Sequence, residues 1–342
     1  MTTTDQPLAL DAMGGDQAPE EIVRGGVDFA RRTGRKILLV GNPEAIHQAL
    51  ERTFTDGASV DVVPASQEIG FGDKLTAIRG KRDSSIHVGA RLVRDGVASA
   101  FVSAGHTGAM MAMCKVIMGV IRGVDRPALP APLPRRGGGK TVLVDAGANL
   151  ECRPEHFRQF AVMGYHYARW LCGIEDPKVA LLSVGEEDSK GGEAIQVVAR
   201  ILRETNINFI GNVEGTDLYT DKCDVVVCDG FVGNIALKVS EGLGEAIVGL
   251  LKDGVRQGTL TRLGALAMRP VFKTLKKKMD YAEYGGVPLL GLRQVAVVAH
   301  GRSSAKAIRN ALHQAEIAVE SKMVERIEKQ IGKLHEAEQT LL

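Results

Sequence analysis

Cysteine is sparse in the 342-residue sequence, and none of its five copies (Cys114, Cys152, Cys172, Cys223, Cys228) forms a C-x-x-C pair. A disulfide framework is therefore excluded, and the odd set of thiols is expected to stay reduced in cores and on helix faces. An excess of either charge is also lacking: 43 basic against 41 acidic side chains leave +2, which is not the footprint of a nucleic-acid binder. No run of 18 apolar residues occurs, and residues 1–10 lack the charged start and apolar stretch of a secretory signal. The chain is expected to be cytosolic, neither exported nor membrane-spanning. What remains, 44% hydrophobic and 25% charged residues with 40 Gly and 12 Pro, is an ordinary globular composition, neither disordered nor collagenous. At this length folding buries roughly 75% of the unfolded chain's surface, enough for one large core or two medium ones.

Short runs rich in Val, Ile and Leu recur at 8–10, 36–40, 60–63, 98–103, 141–144, 178–184, 207–210, 224–228 and 295–299. They lack clean alternation, and helix-length segments separate most of them. Such runs fit strands buried on both faces of a mainly parallel sheet, so the fold class is α/β. No repeat or long linker divides residues 1–342, which read as one domain, with two lobes as a variant. Residues 127–139 (PALPAPLPRRGGG) read as a Pro/Gly-rich connection. From Ser303, hydroxyl caps and apolar residues three and four apart predict a long amphipathic helix over 303–340, packed on the core or on a partner.

Several chemical signatures are missing. No G-x-G-x-x-G follows a strand, and the Gly137–Thr141 resemblance to a nucleotide P-loop fails because Pro134 stands where the first Gly belongs. Neither H-E-x-x-H, nor a zinc-spaced Cys/His cluster, nor G-x-S-x-G is found. Chemistry without metal or cofactor is expected. In open α/β sheets ligands bind beyond the carboxyl ends of strands, and six strand exits here look alike. They carry Asp11, Gly14, Gly15 and Asp16; Ser103, Gly105, His106, Thr107 and Gly108; Asp145 and Asn149; Lys190; Asp229, Gly230, Gly233 and Asn234; and His300. Tight βα turns require Gly and capping residues anyway, but six together favour a polar, phosphate-tolerant crevice. The 103–108 loop, ahead of an apolar helical run, is the strongest anion candidate. His106 reads either as a general base or as a hydrogen-bonding loop residue, Lys190 either as an anion holder or as a solvated cation, and Arg79, Lys81 and Arg82 as a basic cluster or a wet helix face.

The blocks DAMGGD, SAG-x-TGA, DAGAN, G-x-ED-x-KG, INFIGNVEG, DGFVGN, YGG and AHG, in that order between about residues 8 and 312, resemble the PlsX family of phosphate acyltransferases. The resemblance implies transfer of a fatty acyl group from acyl carrier protein to inorganic phosphate. The product, acyl phosphate, is the donor for glycerol-3-phosphate acylation in bacterial phospholipid synthesis. It further implies a homodimer with a three-layer, isopropylmalate-dehydrogenase-like α/β/α sandwich at the inner face of the membrane, with Lys190 and Asn234 as the catalytic pair. The family usually has Asn where this sequence has His106, which puts a titratable ring in place of an amide. Alternatives are a phosphotransacetylase-like enzyme using coenzyme A thioesters, an isopropylmalate-type dehydrogenase, and a phosphate-sensing module.

Charge is segregated in one place. Residues 252–278 hold eight basic side chains and one acidic, with Leu260, Leu263, Leu266, Ala267 and Met268 among them. An apolar tip flanked by cations suits an anionic lipid surface; a solvated hairpin and a dock for acidic acyl carrier protein are the other readings, and the resemblance favours the membrane.

Overall fold

The computed structural model describes residues 6–70, 73, 80–279 and 283–341, the side chains of 275–279 and 335–341 excepted. Arg79 lies outside the described residues. The first half forms β1 (Leu8–Asp11), α1 (Glu20–Thr33), β2 (Ile37–Gly41), α2 (Pro43–Glu51), β3 (Val60–Pro64), α3 (Ser85–Arg94), β4 (Ala100–Ser103), α4 (Thr107–Met118), β5 (Pro130–Pro134), β6 (Lys140–Val144) and α5 (Pro154–Leu171). There follow β7 (Val179–Leu182), α6 (Glu193–Arg203), β8 (Phe209–Val213), a 3₁₀ turn (Gly215–Tyr219), β9 (Val225–Val227) and α7 (Gly230–Arg256). The chain then runs through α8 (Thr259–Ala267), α9 (Arg269–Met279), β10 (Gly286–Pro288), β11 (Val295–Ala299), α10 (Ala305–Glu320) and α11 (Met323–Leu341).

The parallel strands are divided between two sheets, ordered β10-β11-β4-β1-β2-β3 and β5-β6-β9-β7-β8. β1, β2, β4 and β11 are buried at every residue, which is why their sequences do not alternate. Their two faces feed different cores. Leu8, Leu10, Leu39 and Val297 pack with α1 and α10, while Ala9, Leu38, Phe101 and Ala296 pack with α3 and α4. This is an α/β/α layering produced by the period-two alternation of strand side chains. The first of these cores continues without a break into the second sheet through Val142, Val179 and Val225.

Two strands escape the sequence pattern, and both are edges. β5, inside the segment expected to be a connection, pairs antiparallel with β6, and β10 pairs antiparallel with β11. Each contains proline, which lacks an N–H and is tolerated at a sheet edge where no second neighbour needs that donor. The helix expected over 303–340 is two helices. Lys322, at φ 52°, turns the chain between α10 and α11, so α11 folds back onto α5.

That α5–α11 contact carries a pH-sensitive group. His166 of α5 is buried and its Nε2 lies 2.6 Å from Gln330 Oε1 of α11; burial pulls its imidazole down to about 4. A depressed histidine supports the fold fully above its unfolded value near 6.5 and loses that support as pH falls towards the folded value. Stability should therefore be lower at pH 5 than at pH 7 by about 2 kcal/mol from this residue. Urea unfolding at the two pH values, repeated with His166→Leu, checks this: the difference should shrink in the variant.

Candidate active site

The six strand exits divide three and three. On the first sheet, the adjacent parallel strands β11, β4 and β1 bring residues 300–301, 104–108 and 12–16 to one rim. Asp11 is buried and accepts hydrogen bonds from Ser103 Oγ (2.7 Å) and the Met13 amide (3.1 Å). Burial raises its carboxyl above the usual range against these donors. Ser103 Oγ in turn accepts from the Gly105 amide, so Asp11 and Ser103 tie one loop to the next. Gly14 is required at this crossing, since a Cβ there would stand 2.5 Å from Asp11 Oδ2 and 2.7 Å from the Gly105 nitrogen. The Asp16 amide donates to Gly301 O across the same rim. Gly15 takes a positive φ of 108°, while Asp16, Thr107 and His300 are exposed.

His106 has an identifiable local task. It is the N-cap of α4, and its Nδ1 accepts from the Ala109 amide at 3.2 Å. With the Nδ1 lone pair engaged, the neutral ring carries its proton on Nε2, so proton abstraction by Nε2 requires the other tautomer and loss of the cap. Asn caps by the same geometry. His106→Asn should hold stability within about 0.5 kcal/mol, whereas His106→Ala should lose about 1 kcal/mol, read by chemical denaturation. Asp73, salt-bridged to Lys81 at 2.6 Å, interacts electrostatically with His106; the sequence reading missed this neighbour because Asp73 lies 33 positions away.

On the second sheet, adjacent parallel β6, β9 and β7 deliver residues 145–149, 228–234 and 183–191 to a second rim. Asp145 is buried and accepts four hydrogen bonds: from the Leu129 and Ala148 amides and from the Asn149 amide and side chain, at 2.7–3.1 Å. Burial nonetheless lifts its carboxyl upward. Asn149 also donates to Pro127 O and accepts from the Gly230 amide at 2.7 Å. These two residues thus bind their own chain and form the seat of α7. Asp229 caps that helix, accepting from the Val232 amide at 2.8 Å. A Cβ at Gly230 would meet Asn149 O at 2.6 Å, and one at Gly233 would meet Asp145 O at 1.8 Å. The helix N-terminus can lie against the 145–149 loop only because both are glycine.

That seating places Asn234, exposed on α7, beside Gly147. Lys190 sits on the exit of β7, the strand next to β9, with its exposed side chain crossing over Gly185. β7 and β9 are neighbours, so the segments that carry Lys190 and Asn234 leave the sheet at the same rim. α7 also connects the rims: Glu241 and Lys238 interact electrostatically with His300, and Glu245 pairs with Arg302. Among the described residues, no three His, Cys, Asp or Glu side chains cluster as metal ligands do. All five cysteines are free; burial pushes the Cys114 thiol up to about 12 and Cys152, in contact with Asn149, up to about 11.

A family described as "Fatty acid synthesis protein" matches residues 7–326. The phosphate acyltransferase of Nitratidesulfovibrio vulgaris is 49% identical over 322 residues, covering 94% of this chain and 93% of that one. The protein of the same name from Aquifex aeolicus is 46% identical over 309 residues, covering 90% and 91%. The chain belongs to the phosphate acyltransferase (PlsX) family. It is an enzyme of the transferase class, in a family of fatty acid and phospholipid synthesis.

Solved structures resemble it in fold at low identity. A phosphotransacetylase from Streptococcus pyogenes superposes with a TM-score of 0.65 at 17% identity, covering 92% of this chain and 94% of that one. A structure described as a 4-hydroxythreonine-4-phosphate dehydrogenase of Salmonella typhimurium reaches 0.53 at 11%, covering 91% and 99%. The α/β architecture expected from the sequence is thus shared by acyl-transferring and dehydrogenase folds, and fold alone does not separate them.

Proposed function

We propose that the enzyme moves a long-chain fatty acyl group from the thioester of acyl carrier protein to inorganic phosphate, reversibly, releasing acyl phosphate for glycerol-3-phosphate acylation. The observation that carries this reading is the placement of Lys190 and Asn234 on neighbouring exits of one rim, within a family of phosphate acyltransferases. A phosphate oxygen attacks the thioester carbonyl carbon, the carbonyl oxygen takes up negative charge, and the C–S bond breaks as that charge returns. The thiolate leaves with acyl carrier protein and is protonated from water. Phosphate near neutral pH is already largely dianionic, so it needs positioning and desolvation more than a strong base. The Lys190 ammonium holds the phosphate or the developing oxyanion, and the Asn234 amide orients one of them. The rim loops around Gly14, Gly105 and Gly108 form the remainder of the substrate crevice.

Incubating the enzyme and phosphate with either acyl carrier protein thioester or coenzyme A thioester, and trapping product as hydroxamate, tests the reading. Product from the first donor alone supports it. Product only from coenzyme A thioester favours the phosphotransacetylase-like alternative. Product from neither, with nicotinamide reduction instead, overturns both.

The setting is also part of the proposal: a cytoplasmic homodimer held peripherally on anionic lipid, delivering its product to a glycerol-3-phosphate acyltransferase. Two features support it. Val239, Leu243, Ile247 and Leu250 form an exposed apolar stripe along α7, suited to a second copy. Beyond it, α8 exposes Leu260 (81%), Leu263 (63%) and Leu266 (65%) beside exposed Ala267 and Met268 and the exposed cations Arg262, Arg269 and Lys273. Among the described residues no helix is long and apolar enough to cross a membrane. Leu263→Glu combined with Leu266→Glu should abolish flotation with anionic vesicles; unchanged binding would remove this tip from lipid contact.

A further inference from the structure

The loop that carries Lys190 is anchored residue by residue. Glu186 pairs with Lys222 at 2.6 Å, Asp188 pairs with Arg203, and Ser189 O accepts from the Gln196 side chain at 3.1 Å. These anchors are on the surface, where water competes and ion pairs contribute little. The fourth is different. Asn212, 5% exposed on β8, donates its side-chain amide to Glu187 O at 3.2 Å, and the same carbonyl accepts the Lys190 backbone amide at 2.9 Å. One carbonyl oxygen therefore joins Asn212 to the backbone of Lys190.

The strand is shaped to make this contact. β7 and β8 slip register between Val179–Phe209 and Leu181–Asn212, leaving one extra residue on β8, and Gly211 adopts φ 103°. A bulge of this kind re-aims the side chain that follows it. The Asn212 amide orientation is dictated by its partner, because only the NH₂ group can approach a carbonyl oxygen. Its own Oδ1 is buried with no hydrogen-bond partner. A residue present only to fill space would be apolar here, since an unpartnered buried amide oxygen disfavours the fold.

We infer that Asn212, within the INFIGNVEG segment, is a positioning residue: through Glu187 O it sets the backbone of the 185–191 loop and thereby the direction of Lys190. This rests on the proposed catalytic role of Lys190. Asn212→Leu keeps the volume and removes the donor; Asn212→Asp keeps the shape and replaces the donor with an oxygen that repels Glu187 O. Each should lower kcat about 10- to 100-fold, leave KM for acyl carrier protein thioester within about twofold, and speed hydrogen exchange in residues 185–191 without changing that of the core strands. In the Lys190→Ala background, adding Asn212→Leu should cause no further loss.

A kcat within twofold of the parent in both variants overturns the inference, as does an undiminished loss in the Lys190→Ala background. If one variant fails to fold, the other decides; unfolding or core-wide exchange in both also overturns it, because Asn212 would then be holding the sheet rather than the loop. The underlying assignment fails separately, and visibly, if Lys190→Ala alone retains full activity.

Discussion

Lys190→Ala should reduce phosphate-dependent turnover roughly 10²- to 10³-fold while leaving the melting temperature unchanged. The size follows from the role proposed for Lys190, a charged donor to charge that develops in the transition state. The intact fold follows from exposure: Lys190 stands exposed on a loop, its stem passing over Gly185, and surface substitutions of this kind move stability by about 0.5 kcal/mol or less. Lys190→Arg keeps the charge but spreads it over a planar fork, so partial activity is expected. Steady-state rates of acyl phosphate formation, beside a thermal melt, check all three statements. Near-normal turnover of the alanine enzyme would take Lys190 out of the mechanism.

Gly233→Ala should be strongly destabilising, since among the described glycines an added Cβ meets its nearest neighbour most closely there. The added carbon would lie 1.8 Å from Asp145 O, an oxygen held in a loop whose carboxylate takes four hydrogen bonds, so the helix must move instead. A loss of about 3 kcal/mol or more is expected, lowering the melting temperature by roughly 4 °C. Asn234, the next residue, moves with the helix, and activity should fall as well. Gly242→Ala in the same helix has nothing within 4 Å and should raise stability by up to about 1 kcal/mol. Differential scanning calorimetry of the pair decides the matter: a Gly233→Ala enzyme that melts with the parent would mean that α7 does not rest on Asp145.

Much of this molecule was legible before any coordinates. Val, Ile and Leu runs without alternation identified the parallel strands, because a strand covered on both faces needs apolar side chains at every position. The edge strands β5 and β10 were not legible, since their prolines read as loop. β8 starts two residues and ends three residues later than the 207–210 run, at Phe209–Val213, because Gly and Asn in the bulge mask its continuation. Among the candidate site residues, Gly230 and Gly233 read from sequence as loop glycines, and the structure shows that they admit a helix against a carbonyl. Asp145 and Asn149, candidates for the substrate crevice, also brace that contact through their own hydrogen bonds.

The amino-acid sequence by itself determined the α/β class, the six strand exits rich in Gly and polar residues and, through block resemblance, the family, because burial periodicity and residue type are properties of the chain alone. Only the tertiary structure decided that the exits separate into two rims bridged by α7, that His106 caps a helix, and that Asn212 reaches the Lys190 loop. Those facts depend on which strands lie side by side and on how close two backbones come, and no spacing along a chain encodes such distances.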